Sequence, residues 1–153
     1  MDKVLIQLAT ALAGSLGFAL IFNIGKKHVI PASLGGLLSW GVYLLCRETF
    51  EMDTMVATIC SSVCCQIYAE ILARIMKAPT TVFYIPAVVP LIPGGALYNT
   101  MNAAVYQDWN ACRQYGVQTL QGTLGIAVGI SFVSAVLHML TKFSHSRKLQ
   151  KVK

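Results

Sequence analysis

Six polar residues recur at every fourth position along one apolar stretch: Thr54, Thr58, Ser62, Gln66, Glu70 and Arg74. On a helix, steps of four follow a ridge that drifts about 40 degrees each time, so three or four consecutive members share a face and all six cannot. Glu70 and Arg74 stand at i and i+4 with the acid first, the favourable order for a helical ion pair. Within a membrane helix this pair, with Gln66 a turn away, would suit gating or proton coupling; close to a helix end it would be a snorkelling anchor. The pattern leaves both readings open. A second group, Tyr98, Asn99, Asn102 and Tyr106, follows at helical spacing. A buried amide without a partner costs a few kcal/mol, so the two asparagines are expected to face the protein interior. There they either bond a neighbouring helix or coordinate a polar solute. Directly before them come Pro90, Pro93, Gly94 and Gly95. A half-helix starting near Gly95 would aim free amide donors and its positive end at that spot, an arrangement suited to a carboxylate.

Other chemistries lack their residues. Cys46, Cys60, Cys64, Cys65 and Cys112 do not have the paired spacing of a zinc site and are read as small apolar packing residues, with no disulfide framework and no metal centre. No Gly-x-Ser-x-Gly elbow, His-Glu-x-x-His pair or glycine-rich phosphate loop is present, so neither an enzyme nor a cofactor is expected. Asn23 and His138 are lone polar residues, read as interfacial.

The elements that must position these groups follow from the distribution of charge. The chain is 56% hydrophobic and 12% charged, where a soluble domain carries about 25% charge. Residues 4–25, 28–46, 54–69, 78–107 and 114–141 are free of charge apart from histidine. Each run is near or above the roughly 17 to 25 residues that span a bilayer, the third when extended past Glu70 to Met76. The expected fold is therefore all-α, a polytopic membrane protein of about five transmembrane helices at 4–24, 29–46, 54–76, 80–107 and 116–141. Residues 1–141 would form one membrane domain and 142–153 a basic tail. The first run is read as a membrane helix, since its apolar stretch exceeds the roughly 7 to 15 residues of a secretory signal core. The fourth carries Pro86, Pro90 and Pro93-Gly94, which one regular helix cannot hold, because each proline removes a donor and clashes with the turn before it. Broken backbone at membrane depth is tolerated where protein buries it or where it lines a wet cavity, and in transporters such breaks mark the substrate site.

The net charge of +6 does not point to nucleic acid. With a cytoplasmic tail and five alternating helices, Lys26, Lys27, Arg74, Lys77, Lys142, Arg147, Lys148, Lys151 and Lys153 lie inside, and Lys3, Arg47 and Arg113 outside. That is the positive-inside bias, with the N-terminus outside. Short connections make successive helices antiparallel neighbours. The small residues Ser33, Gly35, Gly36, Ser39 and Gly41, and Gly122, Gly125 and Gly129 near the end, allow close helix approach, either within the chain or against a partner or second copy.

Several segments resemble the threonine/serine exporter family, specifically its small-subunit half. They are Gly17-Phe18-Ala19-Leu20-Ile21-Phe22-Asn23, Gly35-Gly36 to Trp40-Gly41 with Tyr43, Ala69-Glu70-Ile71-Leu72-Ala73-Arg74 followed by Lys77-Ala78-Pro79, and Pro90-Leu91-Ile92-Pro93-Gly94 with Tyr98. Pro-x-x-Pro-Gly is the most specific of these, and Gly25 replaces a proline common after the asparagine. The resemblance implies a bacterial inner-membrane exporter of small hydrophilic metabolites, such as threonine and serine or a dicarboxylate like succinate. It further implies that export draws on the proton gradient and that the chain works with a larger membrane subunit.

Residues and resemblance together lead to an exporter subunit whose pathway runs beside Pro90, Pro93, Gly94 and Gly95. Tyr98 and Asn102 would contact the solute, and Glu70, Arg74 and Gln66 would serve gating or proton coupling. The competing expectation is a non-transporting scaffold that stabilises or targets a partner membrane protein.

Overall fold

A computed structural model describes residues 2–150. It contains α1 (Asp2–Ile21), α2 (Lys26–Leu44), α3 (Thr54–Met76), α4 (Thr80–Val88), α5 (Gly94–Val105) and α6 (Trp109–Gln150), with no strand among the described residues. A π-helical turn, Leu45–Thr49, extends α2, and a short 3-10 turn, Val89–Leu91, follows α4. Four segments are long and apolar enough to cross a bilayer: Lys3–Ile21, Lys26–Thr49, Thr54–Met76 and Trp109–Leu140. The pair Thr80–Leu91 and Gly94–Val105 makes a fifth, bent by 50° at the break. The protein is an all-α polytopic membrane protein.

Three of the helix ends share one device. Asn23, Lys77 and Gln107 adopt left-handed φ of 50°, 52° and 59°. The following amides reach back six residues' worth of ring: Ile24 N–H to Ala19 O, Ala78 N–H to Ala73 O and Asp108 N–H to Ala103 O, at 2.9–3.1 Å. This closure satisfies carbonyls that a helix end would otherwise orphan. Asn23, read from sequence as a lone interfacial group, is such a terminator, and asparagine tolerates the conformation better than most residues. Gly25 has φ −50°, a value that proline also adopts. The last helix begins well before residue 116, because the Asp108 carboxylate accepts the Ala111 N–H at 3.1 Å and caps it. It continues past Thr141 to Gln150, so 142–150 of the basic tail extend the helix, and 151–153 lie outside the described residues.

α2 lies at the centre, against α1, α3 and α4, while α6 packs on α3 and α5. The core consists mainly of small side chains: Ser15, Ala19, Ala32, Ser33, Ser39, Ala57, Ser61, Ser62, Cys65, Ala69 and Ala87 are almost completely buried, with Phe83 the one large aromatic among them. Large aliphatics such as Leu5, Ile21, Ile30 and Ile75 point outward. Lipid tails solvate Leu and Ile as well as a protein core does, so association here depends on close packing of small residues. A Cβ on Gly35 would lie 2.6 Å from Ala87 Cβ, and one on Gly36 would collide with Ser15. On Gly125 it would lie 2.9 Å from Thr58 Cβ, and on Gly129 2.9 Å from Ser62 Cβ. These four glycines are thus occupied by packing within the chain. The Gly125–Thr58 and Gly129–Ser62 contacts also show that α3 and α6 run parallel. Cys46 and Cys65 are packed inside as expected, whereas Cys64 is exposed.

Candidate functional site

The break is built by its prolines and held by α2. Pro86 is buried within α4, and Ile92 turns extended, with ψ 123°, as a residue before proline tends to. Pro93 then caps α5. Ser39 donates to the Ala87 carbonyl at 2.7 Å, and Ser61 of α3 donates in turn to the Ser39 carbonyl. The irregular backbone is therefore tied to two neighbouring helices. On α6, Gly122 leaves room for the proline ring, since a Cβ there would stand 3.0 Å from Pro93 Cγ.

Beside the break lies a cavity of about 370 Å³. Pro90, Pro93, Gly94 and Gly95 line it, together with Ala96. Trp40 and Tyr43 form a second wall, their rings stacked at 5.0 Å and 26°. Thr54 and Thr58 of α3, Gln118 of α6 and Arg47 add its polar side chains, and Leu91, Ile92 and Gly122 complete the lining. Arg47 is exposed, and its Nη1 donates to the Met52 carbonyl at 3.0 Å. At the start of α5, the Gly94 amide bonds Ile92 O and the Leu97 amide bonds Pro93 O. The amides of Gly95 and Ala96 fall in the first turn and have no intrahelical acceptor. A guanidinium, two such amides, an aromatic wall and hydroxyl and amide side chains thus share one space. The set can bind a small anion or zwitterion by its carboxylate.

The other expected residues are placed elsewhere. Tyr98 is 69% exposed and Asn102 is also exposed, both on the side of α5 turned away from α6, and neither lines the cavity. The expectation that both asparagines face the interior holds for half-buried Asn99 but not for Asn102. The reason is that α5 packs almost solely on α6, through Ala96, Asn99, Thr100 and Ala103, leaving its opposite side uncovered.

On α3, Thr58, Ser62 and Gln66 are buried, three consecutive members of the polar ridge on one face, as the ridge geometry predicts. Glu70 lies about 24 Å along the axis from Thr54, so it does not belong to the cavity. Its Oε2 is 3.7 Å from Arg74 Nε, and its Oε1 accepts from Thr80 Oγ1 at 3.1 Å. Arg74 is 62% exposed and Glu70 26%. Geometrically the pair fastens the α3–α4 turn.

Sequence reasoning did not nominate Arg47, Trp40, Tyr43 or Gln118 for the site. An available signal was the i, i+3 aromatic pair followed a turn later by an arginine at the end of a small-residue helix.

A bundle of membrane-spanning helices in which one span breaks around a polar cavity has the organisation of a membrane transporter. The family model described as Threonine/Serine exporter, ThrE, matches residues 7–136, and the chain belongs to that family, one of transporters rather than enzymes. The matched stretch contains the break, the whole cavity lining and the α3 ridge. No solved structure matches the chain.

Proposed function

We propose that the chain is a subunit of a secondary-active exporter of small hydrophilic metabolites bearing a carboxylate, of the threonine, serine or succinate type. The observation that carries this reading is the cavity at the break, where Arg47 and the first-turn residues Gly95 and Ala96 line the same space. Drive by the proton gradient and placement in the bacterial inner membrane are parts of the proposal. So are an outside N-terminus and a membrane domain of 1–141 with a basic cytoplasmic tail at 142–153, all supported by the sidedness of Lys and Arg. A larger membrane subunit is included because an amide on an uncovered membrane face is costly, and Asn102 with Tyr98 offers such a subunit a contact. A second copy could cover the same face.

In cells loaded with substrate, Arg47→Gln should raise the concentration for half-maximal efflux about 5- to 30-fold, the loss of one charge-assisted hydrogen bond of ~1–2 kcal/mol at an exposed mouth. Protein levels in the membrane should stay unchanged. The scaffold reading, with the uncovered face of α5 carrying a partner and the cavity idle, expects wild-type efflux from this variant.

A further inference from the structure

Among the described residues, four buried side-chain atoms have no hydrogen-bond partner: Ser15 Oγ, His28 Nδ1, Gln66 Oε1 and Tyr84 OH. The last two come from facing helices. The Thr80–Glu70 hydrogen bond sets the antiparallel register of α4 on α3. One turn beyond it, about 6 Å along each axis, Tyr84 comes level with Gln66. Tyr84 is half-buried and packs against the cluster that contains Ala69 and Ala73 of α3. Gln66 is 7% exposed. Across α6, the register that sets Gly125 on Thr58 and Gly129 on Ser62 brings buried, apolar Val133 opposite Gln66.

The two orphan groups are complementary through an intermediary. An amide oxygen accepts, while a phenol donates and accepts. Leaving both unmet would carry the full desolvation penalty of each group, and natural interiors meet such groups with ordered water. We propose that Gln66 and Tyr84 hold an internal water between α3 and α4. The water accepts the Tyr84 O–H and donates to Gln66 Oε1, leaving its second hydrogen for the Glu70 side of the seam. It would be a hydrated step on the ridge between the cavity residues Thr54 and Thr58 and the Glu70–Arg74 end. The inference concerns hydration alone and stands apart from the exporter reading.

Hydroxyl-radical footprinting of the full-length chain in membranes, with radicals generated by X-rays from isotope-labelled water, tests it. Phe83 is completely buried and serves as the dry reference. Tyr84 should be labelled about fivefold or more above Phe83, and Gln66→Met should cut that labelling to near the Phe83 level, since the water loses its acceptor. In Tyr84→Phe, position 84 should likewise fall to the level of Phe83, which keeps the test decisive if Gln66→Met does not fold. Continued protection of Phe83 reports folding in each variant. Protection of Tyr84 equal to that of Phe83, or labelling that persists in Gln66→Met, would overturn the proposal.

Discussion

Replacing Gly95 by proline removes one hydrogen-bond donor from the cavity while leaving its charge untouched. Gly95 is the second residue of α5 and has nothing within 4 Å of where a Cβ would stand. A first-turn proline has no intrahelical bond to lose, so the fold should tolerate it. The deleted N–H is one of two, on the cavity-lining residues Gly95 and Ala96, that lack an intrahelical acceptor. A hydrogen bond from such an amide to a carboxylate contributes about 1.5–3 kcal/mol. The substrate affinity should therefore fall about 10- to 140-fold, at about 1.4 kcal/mol per tenfold. Gly95→Ala is the control. It keeps the N–H, adds one methyl group in open space, and gains about 0.5–1 kcal/mol of helix stability. Substrate-induced thermal stabilisation of the purified protein, titrated against serine and succinate, would report the affinities. Equal titration midpoints for Gly95→Pro and Gly95→Ala, with both variants folded, would refute the assignment of this amide to the solute.

Two pairs of substitutions test packing and the acid–base pair. Gly129→Val should lower the unfolding midpoint in detergent by an amount corresponding to about 1–3 kcal/mol, because its Cβ would stand 3.1 Å from the Ile59 carbonyl, a backbone atom with little freedom to move. Gly14→Ala, with nothing within 4 Å, should leave the midpoint unchanged or slightly raised, and equal midpoints for both would contradict the close α3–α6 contact. Arg74→Ala should cost less than about 1 kcal/mol, since the guanidinium is 62% exposed and the pair stands at 3.7 Å. Glu70→Ala should cost more, through the Thr80 hydrogen bond, and a chemical-unfolding comparison with the reverse order would rule out that account.

How far the sequence reveals this protein depends on whether a feature is local or depends on neighbours. The break at Pro90 and Pro93 was legible because proline acts on its own backbone, whatever surrounds it. Burial of Thr58, Ser62 and Gln66 together was legible because one helix's periodicity decides which residues share a face. Their partner was not, because only the parallel approach of α6 selects Gly125 and Gly129 as the surface they meet. Tyr98 and Asn102 failed as cavity residues for the same reason. Their spacing put them on one face of α5, yet which face turns inward depends on α6 taking the side of Ala96, Asn99 and Ala103. Arg47 shows the converse. In sequence it is a loop cation, and it lines the cavity only because the bend brings Gly95 and Ala96 to the space that the end of α2 also lines. The exporter reading therefore rests most firmly on the prolines and the small-residue packing, which create the space. The chemistry within it is set by residues from four helices and the turn after α2, whose convergence no single stretch of sequence records.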